Sequence, residues 1–249
     1  MDLTRHVAAE IMRIREVAPE LAIWIVRPLE RLSFSPGQYV AMGVPVEGRM
    51  VERPYSICSA PNEPELEFFI ERVSNGALTP RLFQLRVGDE VYLRREAKGR
   101  FLLDNAAHNH LMIASVTGVA PFVSMLRDLV QRAESARRVL LLHSVSQPAE
   151  FGYDAELKAL SDSCAWFDYV PTVSRPGLAP EWAGELGRAE DIVRKYADSA
   201  GFRPGAATVY CCGNPQMIRN VQGLLQRAGF ALESIRQERY WPDPGPSPA

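Results

Sequence analysis

The chain has 249 residues, which is enough for two domains of ordinary size. Hydrophobic residues make up 47% and charged residues 23% of the sequence, and the net charge of −2 argues against nucleic acid as the main partner. No apolar run reaches the roughly 18 residues of a membrane span, and the N-terminus has no apolar signal core. We therefore expect a cytoplasmic protein that does not bind membranes.

The cysteines and histidines give no indication of a bound metal. The four cysteines are Cys58, Cys164, Cys211 and Cys212. They form no C-x-x-C pair and lack the plant-type iron–sulfur spacing, which argues against a zinc site, a disulfide framework and an iron–sulfur cluster. His108 and His110 lie in a polar stretch without carboxylate or cysteine support, as solvated loop histidines do. If the protein moves electrons, it carries no iron–sulfur relay of its own.

The first part of the chain contains a series of short predicted strands. They cover residues 7–17, 21–27, 38–44, 50–59, 66–73 and 91–94. Turn signals such as Ala18-Pro19-Glu20 separate them. Short strands at this spacing predict an antiparallel β-barrel, which we assign to residues 1–105.

The fourth of these strands carries the motif Arg53-Pro54-Tyr55-Ser56, whose side chains suit a bound flavin dinucleotide. Arginine can form a bidentate contact with a pyrophosphate, and tyrosine can lie along an aromatic ring. A serine hydroxyl can hydrogen-bond the ring nitrogen that accepts hydride. Because R-x-Y-S also occurs by chance in β-proteins, the motif alone leaves an ordinary strand as the alternative.

A second candidate segment, residues 74–80, leads into a short predicted helix over residues 81–85. Thr79 fits the N-cap and Pro80 the first helical position. A helix N-terminus stabilises a pyrophosphate, and Gly76 would let the phosphate approach the backbone. The alternative is a capped helix that serves only the fold.

After a polar stretch around residues 104–110, the hydrophobic period changes. Predicted strands at residues 111–114, 138–143, 166–173 and 207–211 alternate with predicted helices at 122–133, 154–160, 190–199 and 215–228, and a last extended piece lies near residue 234. This alternation predicts an open, mostly parallel α/β sheet, which we assign to residues 109–241. The proline-rich residues 242–249 are predicted to form a disordered tail.

In open α/β sheets, ligands bind beyond the carboxyl ends of the strands, so the segments after the strands are the informative ones. The small residues of segment 115–121 leave room for a diphosphate at a helix N-terminus. Ser174 and Arg175 follow a strand, and with Arg188 and Arg219 they suit the extra ribose phosphate that distinguishes NADP from NAD. The alternative for Arg175 is an ordinary surface position.

Two later segments complete the candidate site. In Cys212-Gly213-Asn214-Pro215, the last two residues fit the N-cap and first position of the following helix, and a cysteine at the strand's carboxyl end could touch a nicotinamide ring. Buried apolar packing is the alternative for that cysteine. Near the chain end, Tyr240 and Trp241 could cover one face of the flavin or cap an interface between domains.

These stretches together resemble the ferredoxin–NADP reductase family, and more narrowly its bacterial form. The similarity runs from the first strand to residue 241. It depends on the order and spacing of five short motifs: Arg53-Pro54-Tyr55-Ser56, Gly76-Ala77-Leu78-Thr79, Thr117-Gly118-Val119-Ala120-Pro121, Val173-Ser174-Arg175 and Cys212-Gly213-Asn214-Pro215-Gln216-Met217.

The resemblance implies the cofactors FAD and NADP and a set of residues that bind them. FAD would be held by Arg53, Pro54, Tyr55, Ser56, Phe69, Ile70, Gly76, Leu78 and Thr79. NADP would be bound by Thr117, Ser174, Arg175, Arg188, Cys212, Gly213, Asn214, Pro215, Met217 and Arg219, with Thr117 between the flavin and the nicotinamide. Ser56, Cys212 and Trp241 would be the catalytic residues, and the terminal aromatic, Trp241 or Tyr240, would stack on the flavin ring.

The sequence departs from the family at two places. The family usually has a glycine where this chain has Val116, and its aromatic residue usually ends the chain, whereas here eight residues follow Trp241. These departures put the shape of the pyrophosphate loop and the opening of the flavin face in doubt.

The function that the resemblance implies is electron transfer between NADPH and a one-electron carrier, ferredoxin or flavodoxin, by hydride transfer between nicotinamide and flavin. We expect a monomer. The basic residues Arg94, Arg95, Lys98 and Arg100 are candidates for docking an acidic carrier, with a solvated strand end as the alternative. Alternative functions are a reductase component of an oxygenase, a free-flavin reductase, and an FAD-binding module without turnover.

Overall fold

A computed structural model describes residues 3–134 and 137–240 of the chain. Within these residues, none of the helices has the length and apolar character needed to cross a membrane. The predicted tail, residues 242–249, and Trp241 lie outside the described residues.

The first half of the chain forms a six-stranded antiparallel sheet. Its elements are β1 (His6–Ala18), β2 (Leu21–Pro28), β3 (Tyr39–Val46), β4 (Arg49–Ser56), β5 (Leu66–Glu71), α1 (Thr79–Leu82) and β6 (Glu90–Arg94). The strand order is β4-β3-β6-β1-β2-β5. The Cys58 amide, just beyond edge strand β4, donates to the Glu67 carbonyl of edge strand β5 at 2.8 Å. This bond brings the two edges of the sheet together, as a barrel requires.

Alternate residues of these strands fill the interior of the sheet. On β5, for example, Leu66, Phe68 and Ile70 belong to the buried core cluster, which also includes Trp24 and Met42. This period of two follows from the pleat of a strand, which sends successive side chains to opposite faces. The predicted antiparallel β-barrel is confirmed.

The short helix α1 differs from the prediction. Thr79 is its first residue, and Leu78 occupies the N-cap position without a side-chain hydrogen bond. The prediction of Thr79 as N-cap was wrong, because the Thr79 hydroxyl is bound elsewhere: it accepts from the Val73 amide at 2.9 Å and donates to the Val73 carbonyl at 3.2 Å. With only four residues, α1 offers a weak dipole for a phosphate.

The second half of the chain forms a six-stranded parallel sheet with helices. Its elements are β7 (Asn109–Ser115), α2 (Ala120–Gln131), β8 (Arg138–Val145), α3 (Asp154–Ser163), β9 (Phe167–Val173), β10 (Glu185–Leu186), α4 (Ala189–Ser199), β11 (Ala207–Gly213), α5 (Pro215–Arg227) and β12 (Ile235–Arg239). The strand order is β10-β9-β8-β7-β11-β12. Every neighbouring pair is parallel, so all the carboxyl ends meet at one edge of the sheet. The predicted open parallel α/β sheet is confirmed.

By their residue contacts, the two halves form separate compact units. One unit runs to Leu103 and includes Ala120–Ala133, and the other comprises Asp104–Val119 and the chain from Glu134 onward. Helix α2 thus groups with the barrel strands, where the Ser124 hydroxyl donates to the Ser59 carbonyl at 2.7 Å. The domain limits of 1–105 and 109–241 stay a prediction.

Candidate functional site

The motif predicted to bind flavin lies on edge strand β4 and the turn that follows it. Arg53 and Pro54 are exposed, Tyr55 is half-buried against the barrel core, and Ser56 is buried. The Arg53 guanidinium donates to the Glu52 carbonyl at 2.8 Å, which leaves further N–H groups of its fork for a ligand. An edge strand suits such a site, because one side of it is not covered by a neighbouring strand of the sheet.

The Tyr55 hydroxyl is buried and has no hydrogen-bond partner among the described residues. Burial raises the pKa of this phenol far above its ordinary value, and Arg53 only partly offsets the effect. The group is therefore a protonated donor, and leaving it unpaired costs about 1–3 kcal/mol. A ligand with an acceptor atom at this position would remove that cost, so the residues present fit a flavin.

The other residues predicted to hold FAD differ in their burial and in their contacts. Ile70 and Leu78 are each only 1% exposed as whole residues and belong to the barrel core. Phe69 lies next to Ile70 on β5 and therefore points to the opposite face. In the turn before α1, the Gly76 amide donates to the Val73 carbonyl at 2.8 Å. The roles of these residues in FAD binding stay predictions.

In the second unit, the segments that follow β7 and β11 interlock. A Cβ atom at Gly118 would lie 2.6 Å from the carbonyl carbon of Cys212, and one at Gly213 would lie 2.8 Å from the Ser115 carbonyl oxygen. Gly213 also has φ +118°, which other residues rarely adopt. The Ser115 hydroxyl accepts from the Asn214 amide at 2.8 Å. Two glycines thus allow the backbones of both segments to touch.

The helix behind this junction begins as predicted. Asn214 is the N-cap of α5, and its side-chain oxygen accepts from the amides of Gln216 at 2.8 Å and Met217 at 3.3 Å. Pro215 is the first helical residue. The junction therefore places a capped helix N-terminus beside two closely packed backbone segments. A diphosphate site here stays a prediction.

Three of the predicted residues converge at the end of the second sheet. The Tyr240 hydroxyl donates to the Thr117 carbonyl at 3.1 Å, and the Tyr240 amide donates to the Gly213 carbonyl at 3.3 Å. Cys212 is fully buried. Burial, and then the Glu238 carboxylate, raises the pKa of its thiol well above the ordinary range, while a hydrogen bond from Tyr240 acts in the opposite direction. Cys212 is a neutral thiol and not a nucleophile.

Two aromatic residues, Tyr240 and Trp241, end the predicted site, and the structure describes the first of them. The hydroxyl of Tyr240 is tied to the segment after β7, so this side chain is held within the second unit. The stacking role predicted for the terminal aromatic stays a prediction, and Trp241 lies outside the described residues. The contact between Tyr240 and Thr117 was missed by the sequence analysis, because 123 positions separate the two residues.

The residues predicted to bind the ribose phosphate of NADP lie on three segments. Arg175 is exposed after β9, Arg188 is the exposed N-cap of α4, and Arg219 is half-buried on α5. The Ser174 hydroxyl donates to the Val145 carbonyl at 3.1 Å, so it can serve a phosphate only by exchanging that partner or by accepting. The side chain of Arg219 is held by Gln216 at 2.6 Å.

The predicted docking patch on the barrel carries less free charge than its sequence indicates. Arg94 forms a bidentate ion pair with Glu52, with distances of 2.5 and 2.9 Å, and Arg95 forms one with Glu30 at 2.5 and 3.0 Å. Both arginines, together with Lys98, line a cavity of about 590 Å³. An acidic partner would therefore find two of the four candidate cations already paired.

Comparison with known proteins defines the class of the chain. The family model of the oxidoreductase FAD-binding domain matches residues 10–101, and that of the oxidoreductase NAD-binding domain matches residues 112–223. The barrel and the parallel sheet carry these two matches in that order. The fold and the site thus define an oxidoreductase that uses a flavin and a nicotinamide nucleotide.

Individual relatives narrow the class to a family. The chain is 32% identical over 198 residues to the flavodoxin/ferredoxin–NADP reductase of Escherichia coli (strain K12), an alignment that covers 77% of this chain and 78% of that protein. The solved structure of a ferredoxin NADP+ reductase from Neisseria gonorrhoeae with bound FAD and NADP is 25% identical, with a TM-score of 0.84, over 96% of this chain and 100% of that one.

A third relative is the reductase component of phenol 2-monooxygenase from Pseudomonas sp. (strain CF600). It is 30% identical over 241 residues, which cover 95% of this chain and 65% of that protein. The chain belongs to the ferredoxin–NADP reductase family. The predicted family, the oxidoreductase class and the cofactors FAD and NADP are confirmed by the two domains and by this membership.

Proposed function

We propose that this protein transfers electrons between NADPH and a one-electron carrier protein, a ferredoxin or a flavodoxin. The observation that carries the proposal is the buried Tyr55 hydroxyl, a protonated donor without a partner among the described residues, on the strand of the R-P-Y-S motif. Bound FAD supplies the conversion between a two-electron hydride and single electrons. The chain supplies the groups that bind and orient both nucleotides.

In the proposed site, Arg53 binds the pyrophosphate of FAD, Tyr55 lies along the ring and Ser56 hydrogen-bonds the ring nitrogen that receives hydride. The Arg53 fork and the Tyr55 donor support these roles. Thr117 and Cys212 contact the nicotinamide. The buried Cys212 thiol is neutral, which supports a van der Waals contact with the nicotinamide ring. A thiolate at this position would instead react with oxidants.

NADPH is the proposed coenzyme because three segments of the second unit carry arginines that could bind the ribose phosphate. Arg175, Arg188 and Arg219 each carry a guanidinium, which forms charge-assisted hydrogen bonds with phosphate. An NAD site carries an acidic residue at the ribose instead. The comparison of NADPH with NADH as reductant therefore tests this part of the proposal directly.

The carrier protein is proposed from the chemistry of the chain and from the names of its relatives. The sequence contains no C-x-x-C pair or plant-type iron–sulfur spacing, which supports a separate molecule as the one-electron acceptor. The E. coli relative is named for flavodoxin and ferredoxin. A second candidate function is a reductase component of an oxygenase, which the phenol 2-monooxygenase relative supports.

The test is anaerobic mixing of the purified yellow protein with NADPH. Bleaching of the flavin band within milliseconds to seconds supports the proposed reductase, and absence of bleaching identifies an FAD-binding module without turnover. Steady-state turnover with ferredoxins, flavodoxins, an oxygenase component and free flavin then separates the candidates. Preference for free flavin would contradict a carrier protein as acceptor. The cytoplasmic location and the monomeric state stay predictions, to be tested by cell fractionation and sedimentation.

A further inference from the structure

Val116 adopts a backbone conformation that valine rarely takes. It is the first residue after β7 and has φ +45°, in the left-handed region. A β-branched side chain in this region is a genuine outlier, because Cβ comes close to the following carbonyl oxygen. Such a conformation persists only when the surrounding structure holds it. The next residue is Thr117, which the proposed function places at the nicotinamide.

The group that holds Val116 is a buried histidine on the neighbouring strand. His143 lies on β8, is 0% exposed, and has its Nε2 atom 2.9 Å from the Val116 carbonyl oxygen. A carbonyl oxygen can only accept, so Nε2 carries the proton of a neutral imidazole. Burial lowers the pKa of His143 to about 4, so the ring is neutral at pH 7.

A tyrosine lies on the other side of the imidazole ring. The Tyr169 hydroxyl lies 3.3 Å from His143 Nδ1, which has no proton when Nε2 has one. Tyr169 can therefore donate to Nδ1. Burial raises the pKa of Tyr169, as do the charge of the Asp154 carboxylate and a hydrogen bond to it, so the hydroxyl keeps its proton, for which Asp154 and Nδ1 are alternative acceptors. The Phe151 ring packs edge-on against the imidazole with centroids 5.2 Å apart and limits its rotation.

The conformation of Thr117 is fixed from both sides. The carbonyl before it, that of Val116, is held by His143, and its own carbonyl is held by the Tyr240 hydroxyl. The two peptide planes that flank the Thr117 Cα atom are thus both anchored by side chains from other strands. Since two peptide planes define the φ and ψ of the residue between them, Thr117 has little freedom left.

We propose that His143 is a positioning residue for the coenzyme: its Nε2–H holds the strained Val116 turn, and through it the placement of Thr117. The inference rests on the proposed function for the role of Thr117. The hydrogen bond from His143 to the Val116 carbonyl does not depend on that role, and its effect on the segment can be measured separately.

The experiment is a double-mutant cycle between H143L and V116G. Leucine removes the donor, and glycine adopts a positive φ without strain, so it does not depend on the donor. NADP+ affinity by calorimetry and the rate of flavin bleaching by NADPH are measured for all four proteins. We expect H143L alone to lower affinity or rate by about 3- to 10-fold, as loss of one hydrogen bond does. In the V116G background, we expect its effect to fall below about 2-fold.

Hydrogen exchange of the peptide that covers residues 115–119 gives a second readout. H143L should speed exchange there, and V116G should reduce that increase. A matched control is H110L, which removes another buried histidine, at the opposite end of the same sheet, where it contacts Tyr210. H110L should lower stability but leave NADP+ affinity and exchange of residues 115–119 unchanged.

Equal effects of H143L in both backgrounds, or an effect matched by H110L, would overturn the inference. If H143L does not fold, H143A and H143Q test the same link, because glutamine keeps an N–H that can donate and alanine does not; equal affinity and exchange in these two variants would count against the proposal. A wild-type protein that NADPH does not bleach would refute the proposed function alone, since the exchange measurement still tests the hold of His143 on Val116.

Discussion

Substitution of Gly118 by alanine should disrupt the junction of the two nucleotide-binding segments. An ideal Cβ at this position lies 2.6 Å from the Cys212 carbonyl carbon and 2.9 Å from the Gly213 Cα atom. Both are backbone atoms, so no side chain can rotate out of the way. Ordinary van der Waals contact begins near 3.4 Å. The segments must therefore separate by on the order of 1 Å, and forced overpacking of this kind costs about 1–3 kcal/mol.

The loss should appear in coenzyme binding as well as in stability. If most of the cost falls on the bound geometry, NADP+ affinity measured by calorimetry should drop by about 5- to 100-fold, because 1.4 kcal/mol corresponds to a factor of ten. The melting temperature should fall by several degrees. FAD content should stay the same, since Gly118 lies in the second unit.

Gly177 provides the matched control for this experiment. It lies in the same unit, and an added Cβ there meets nothing within 4 Å. G177A should bind NADP+ as the wild type does. If G118A binds NADP+ and unfolds like G177A, the junction is not closely packed, and the argument for a diphosphate site at this point fails.

Three further predictions concern the coenzyme and pH. R175A should weaken NADPH by about 10-fold and NADH little, because a charge-assisted bond to the 2′-phosphate is lost; equal losses in steady-state kinetics would refute the assignment. C212A should slow anaerobic flavin reduction without changing flavin content, and an unchanged rate would make Cys212 a packing residue. Burial lowers the pKa values of His110 and His143 to about 4, below the ordinary 6.5. Between these two pH values, both histidines are protonated in the unfolded chain but neutral in the folded chain. The free energy of unfolding in urea should therefore be highest above about pH 6.5 and fall toward pH 4, by on the order of 3 kcal/mol for each histidine. The control variant is H108Q, at an exposed histidine, which should leave this pH dependence unchanged.

Local patterns predicted the elements of this fold well. Period-two hydrophobicity marked the barrel strands, and the change to alternating apolar strands and amphipathic helices marked the parallel sheet. The cap of α5 was also readable, because the Asn214 side chain accepts from amides within the next three residues. The cap of α1 was not, since the Thr79 hydroxyl bonds to Val73 six residues earlier, in a turn whose shape the sequence does not specify.

The candidate site shows the same limit more clearly. The residue types and their order after each strand were visible in the sequence, because parallel strands bring their carboxyl ends to one edge. What holds those residues in place was not visible. The carbonyls of Val116 and Thr117 are bound by His143 and Tyr240, which are 27 and 123 positions away, and neither bond has a local signature. A valine at φ +45° is locally unfavourable, so these distant contacts help to explain why the segment keeps its shape.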